Sequence, residues 1–76
     1  MMPSILRTAF ENVITHISNV DDVRELVNDL ERRNESVDHS IHVLEKMAED
    51  AEVTLRTDIR ILINECRHLR SKMTGR

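Results

Sequence analysis

Glu35, His39 and His42 stand at i, i+4 and i+7, a spacing that sets a carboxylate and two imidazoles on one side of a helix and offers three metal ligands. A bound metal needs its ligands oriented by groups behind them, and the neighbours of this trio are those of a solvated helix face. Glu65 and His68 carry the Glu-x-x-His spacing used by di-iron bundles, but such a centre needs two of these motifs and two further Glu, and the chain has one motif. Cys66 is the single cysteine; it falls within an apolar series and reads as a small core residue rather than a nucleophile. One glycine cannot build a phosphate-cradling loop, and no Ser-His-Asp arrangement is apparent. The expectation is a protein without catalytic residues, metal, cofactor or small-molecule substrate.

Charge suggests a different activity. Residues 21 to 52 hold eleven acids and four bases, whereas residues 56 to 76 hold six bases and two acids. Arg56, Arg60, Arg67, His68, Arg70, Lys72 and Arg76 form a basic segment that could follow phosphates. Against nucleic acid stand the interleaved Ile59, Ile61, Leu62, Ile63 and Leu69, the lack of an aromatic for stacking, and the net charge of −3. Basic residues near a helix C-terminus also suit the helix dipole.

The elements that would position these residues are helical. One Gly, one Pro and one aromatic leave hairpin turns little to work with, and the fold class expected is all-α. The alternation Val53, Leu55, Ile59, Ile61, Ile63 has no second strand to pair with, so helix is preferred there too. The longest apolar run, Ile61 to Ile63, falls far short of the roughly 20 residues a membrane span needs. Met1 to Phe10, with one Arg and no long apolar stretch, does not resemble a signal peptide. A lone thiol fits a reducing compartment, so an intracellular site, cytoplasmic or nuclear, is expected.

Apolar residues recur at steps of three and four along nearly the whole chain. The seam runs Leu6, Phe10, Val13, Ile17, Val20, Val23, Val27, Leu30, Asn34, Val37, Ile41, Leu44, Ala48, Ala51, Leu55, Ile59, Leu62, Cys66, Leu69, Met73. A mean step near 3.5 is the pattern of a left-handed supercoil. Two steps of three at Ile17, Val20, Val23 and two steps of four at Ala51, Leu55, Ile59 interrupt the heptad. The first interruption carries a helix-start signal in Ser18, Asn19, Asp21 and Asp22, which predicts a kink or short turn and a short N-terminal helix over 4–17. Arg33 to Ser36 offers a second turn and with it a helical hairpin, but Asn34 stays in step with Leu30 and Val37, which favours one main helix over 20–74.

Such a helix buries nothing alone, so partner helices are required. Val27, Asn34 and Ile41 at position a, with Leu30, Val37 and Leu44 at d, favour a parallel homodimer in which Ala48 and Ala51 form a narrow waist. Opposite charges would then meet across chains at Arg33 with Asp38 and at Glu65 with Arg70. The e positions Glu31, Asp38, Glu45 and Glu52 make an acidic edge suited to a basic partner protein. Leu26, Val43, Met47, Val53, Ile61 and Ile63 widen the stripe, so a multi-chain bundle is the structural alternative. The function expected is a homo-oligomerising coiled coil that multimerises or scaffolds a larger assembly. Its alternative is a small helical adaptor docking on a different protein, as a hairpin or three-helix bundle.

Overall fold

Short polar side chains set the helix starts. Ser4 and Ser36 both have extended backbone, and their hydroxyls accept hydrogen bonds from the Arg7 and His39 amides at 3.0 and 3.2 Å. Each thereby satisfies one of the amide donors that a first turn leaves open. A computed structural model describes residues 4–33 and 36–73. Helix α1 spans Ile5–Val13 and continues as a 3₁₀ turn over Ile14–His16; α2 spans Val20–Arg32, α3 Val37–Asp50 and α4 Val53–Met73. All regular structure among the described residues is helical.

The heptad register predicts one helix over 20–74, and here the structure differs: three helices occupy that range. Arg33 closes α2 in αR geometry, donating its amide to the Asp29 and Leu30 carbonyls, and Ser36 restarts the chain in the extended region. Neither the Arg33 nor the Ser36 conformation requires glycine. Asn34 itself lies outside the described residues. The second break is at Ala51, whose backbone is extended (φ −83°, ψ 156°). Arg56 holds it from the next helix, its guanidinium donating to the Ala48 and Ala51 carbonyls at 3.0 and 2.9 Å. These are carbonyls that the end of α3 leaves open, so a cation is well placed there.

The four helices fold back on one another. Pairings of Asp38 with Arg70 and of Glu45 with Arg67 run in opposite senses along α3 and α4, which makes that pair antiparallel. Asn12 of α1 donates to Glu65 at 2.9 Å and Ser18, just beyond α1, to Asp58 at 3.1 Å, so the chain from α1 into the following bend also runs antiparallel to α4. Helix α2 lies against α1: Arg7 donates to Glu31 and Asn28 at 2.6 and 2.5 Å, and Arg24 sits 5.7 Å above the Phe10 ring. The molecule measures 34 × 23 × 21 Å, whereas a straight helix over 20–74 would extend roughly 80 Å at 1.5 Å per residue.

The seam is the core of this bundle. Leu6, Phe10, Val13, Ile17, Val23, Val27, Leu30, Ile41, Leu44, Ala48, Ile59, Leu62 and Cys66 are buried within one chain, and Val37, Ala51, Leu55 and Leu69 pack half-buried against them. Ala9 and Ile63 join them from outside the heptad series. The residues expected to meet another chain therefore meet one another. Met73 ends α4. Burial of this seam supplies the apolar contact that a partner helix would have supplied, without the entropic cost of association.

Candidate functional site

Each residue singled out for chemistry now has a place. His39 and His42 are exposed on α3, and Glu35 lies outside the described residues. Among the described residues no group of three or more His, Cys, Asp or Glu is gathered so as to hold a metal ion. Glu65 is half-buried and accepts from Asn12, and His68 is exposed. Cys66 is fully buried in the core, where burial first, and the neighbouring Glu65 charge second, push its thiol up to about 12. Relative to an ordinary thiol at 9.0 that leaves on the order of a thousandfold less thiolate. A disulfide reagent at pH 8 is therefore expected to leave the folded protein nearly unlabelled and to titrate one thiol per chain once urea is added, as absorbance of the released chromophore would show.

Asp58 is the residue that pattern reading passed over. It stands on α4 with 2 % of its surface exposed, and it is a carboxylate in the core. Its oxygens accept from the Ser18 amide at 3.1 Å, the Asn19 amide at 2.6 Å and the Asn19 side-chain nitrogen at 2.9 Å. Ser18 and Asn19 form the bend that leads into α2, so a side chain some forty residues away in sequence caps the bend and the start of that helix. Burial raises the Asp58 pKa, but the bonds from Asn19 and Ser18 outweigh it and hold the carboxyl below its ordinary value. A signal was present: Asp is a poor helix former, and position 58 follows Leu55 by one turn and adjoins Ile59 at the edge of the apolar stripe.

The acidic edge does not form a continuous strip. Glu31 pairs with Arg7 at 2.6 Å, and the Arg7 hydrogen bond, opposed by partial burial and aided by the Ser4 hydroxyl, holds its carboxyl below the ordinary range. Asp38 pairs with Arg70 and Glu45 with Arg67, both from α3 to α4. Glu52 is exposed and its carbonyl receives the Arg56 amide at 2.7 Å in the first turn of α4. The pairs anticipated between chains are likewise redistributed, Arg33 bonding Asp29 and Glu65 bonding Asn12. Two acids of the middle segment thus meet two bases of the C-terminal segment along the α3–α4 hairpin.

Open grooves lie on the described surface, two of them beside α4. Between α3 and α4, Arg56, Arg60 and Arg67 alternate with Glu45 and Glu49 over a floor of Ala48 and Ile63. Arg56 and Arg67 are held by the bonds just described, which leaves this groove nearly balanced in charge. The second groove, of about 700 Å³, runs along α2 to the first turn of α4. Leu26 and Leu55, both half-buried, form its apolar part, and Asp22, Glu25 and Asp29 edge it. Asp22 and Glu25 make no ion pair among the described residues, and Asp29 is paired with Arg33. Larger exposed apolar side chains are Met47 and Val53. No described helix is long and apolar enough to cross a membrane. No protein-family model, curated protein or solved structure matches this chain.

Proposed function

We propose that the protein is a small helical adaptor that folds as a single chain and docks on a different protein. The observation that supports this reading is the fate of the seam. Side chains with the spacing of an oligomer interface lie in the core of one chain, with Val23, Val27, Leu44, Leu62 and Cys66 at 0 % exposure. What is left for a partner is surface: Asp22 and Glu25 on α2, which make no ion pair among the described residues, stand beside half-buried leucines, the arrangement by which helical modules accept helices.

The homo-oligomerising coiled coil, with a parallel dimer and a scaffolding role, is the competing reading. It requires α2 and α3 to straighten through 33–36 and the same seam to leave one chain's core for another's, because a side chain cannot fill both places. Nucleic-acid binding is weaker still, since Arg67 and Arg70 are engaged by carboxylates and Arg56 by carbonyls.

Solution mass separates the readings. From about 1 to 100 µM, sedimentation is expected to give the monomer mass of 8.9 kDa with a melting temperature independent of concentration. A species of twice that mass, melting higher as concentration rises, would return the seam to the interchain role.

A further inference from the structure

On α3, Asp38 pairs with Arg70 and Glu45 with Arg67. On α2, Asp21 pairs with Arg24, Asp29 with Arg33 and Glu31 with Arg7, whereas Asp22 and Glu25 are exposed and make no ion pair among the described residues. Asp22, Glu25 and Asp29 edge the groove whose apolar part is Leu26 of α2 and Leu55 of α4. Asp22, Leu26 and Asp29 recur at steps of four and three, so they line one flank of α2, while Arg24 and Glu31 on the opposite flank are committed to α1 through Phe10 and Arg7. On this flank Asp22 and Glu25 are exposed and Leu26 and Asp29 half-buried.

From this arrangement we infer that the α2 groove receives a basic amphipathic helix of the partner protein. Resting on the adaptor reading, the inference names the partner's chemistry. Leucine-type side chains one turn apart lie over Leu26 and Leu55, and flanking lysine or arginine side chains face Asp22, Glu25 and Asp29. The apolar floor excludes a purely electrostatic ligand, because a polar strand would leave Leu26 and Leu55 half in water, while the acidic edge excludes an acidic helix by repulsion. Arg32, also at this groove, puts a cation at the C-terminal end of α2 and disfavours a partner whose basic residues run past that point. The partner helix therefore concentrates its positive charge opposite the first two turns of α2.

Three designed peptides of equal length test the idea against the intact 76-residue chain, read by amide chemical shifts and by fluorescence anisotropy. The first carries Leu at i, i+3, i+4 and i+7 among Lys; the second replaces Lys by Glu; the third keeps the Lys but replaces Leu by Gln. The first is expected to bind, shifting amides of α2 and Leu55, with the Gln and Glu peptides about tenfold or more weaker. A double variant, Asp22→Asn with Glu25→Lys, alters exposed residues alone and is expected to weaken the first peptide about tenfold while the melting temperature holds. Equal binding of the Lys/Gln peptide, shifts centred on α3 and α4, or unchanged binding by the double variant would each overturn the proposal. Sedimentation of the same samples keeps the two levels apart. A monomer that ignores all three peptides overturns the groove assignment and leaves the adaptor reading intact, whereas a stable dimer overturns the adaptor reading itself.

Discussion

Asp58→Ala is expected to leave the chain largely unfolded at 37 °C. The substitution strands the Ser18 and Asn19 amides and the Asn19 side-chain nitrogen without an acceptor, in a bend that the bundle holds against α4. Ser18 is exposed and Asn19 half-buried, so water replaces part of each lost bond; each still costs about 1 kcal/mol, and a chain of this size has a net stability of only about 3 to 5 kcal/mol. The sum removes most of the folding free energy. Asp58→Asn keeps the shape and one acceptor oxygen but turns an amide group toward donors, so about 2 to 3 kcal/mol is expected, a fall in melting temperature of about 10 to 20 °C. Urea titration followed by helical circular dichroism measures both. A shift under about 0.5 kcal/mol for the alanine variant would show that the carboxylate does not hold the bend.

The same carboxylate gives stability a pH dependence whose sign follows from its lowered pKa. In the folded chain Asp58 titrates below its ordinary 3.8, so near and below that pH the unfolded chain binds more protons than the folded one. The contribution is fully present above the ordinary value and is lost as pH falls through the folded one. Glu31, held down by Arg7, acts in the same direction just below its ordinary 4.5. Unfolding free energy is therefore expected to decline from about pH 5 downward, and less steeply in Asp58→Asn than in the parent chain.

Leu62→Ala is the second large effect. Leu62 is wholly buried on α4, in the same core as Val23 and Val27 of α2 and Leu44 of α3. Truncating a leucine in such a place costs about 2.7 to 5 kcal/mol, through lost transfer free energy and the cavity left behind. A drop in melting temperature is thus expected to be near complete loss of the transition at 37 °C. Its concentration dependence carries the further information. In a single-chain bundle the residual stability of a milder variant, Leu62→Val, is the same at micromolar and at hundred-micromolar protein, whereas in an oligomer it rises with concentration.

The reach of the sequence is seen best at the three helix breaks. Of the two interruptions of the heptad, that at Ile17 to Val23 carries a helix-start signal and coincides with a bend, whereas that at Ala51 to Ile59 carries none and reads as a stutter that a continuous helix absorbs, although α3 ends at Asp50 and α4 starts at Val53. The third break, where α2 closes at Arg33 and α3 starts after Ser36, preserves the phase of the seam, so the apolar spacing there is that of a continuous helix. Its local marks are the polar run from Arg33 to Ser36 and the capping Ser36, a residue as common on solvated helix faces as at helix starts.

Propensity, capping and the three-to-four spacing of apolar residues are settled within a few positions of the chain, and for that reason the sequence alone determined that this protein is helical and most of the apolar side chains that leave water. It could not determine against what they are buried. A seam of this spacing is satisfied equally by a second chain or by the chain's own later helices, and the choice depends on where short links turn the helices back. In the tertiary structure the chain's own helices bury the seam, and the same folding brings distant polar groups together. Asp38 found Arg70, Glu45 found Arg67, and Asp58 found the amides of Ser18 and Asn19. Those partners lie 22 to 40 residues apart in sequence and meet only once the bundle has formed.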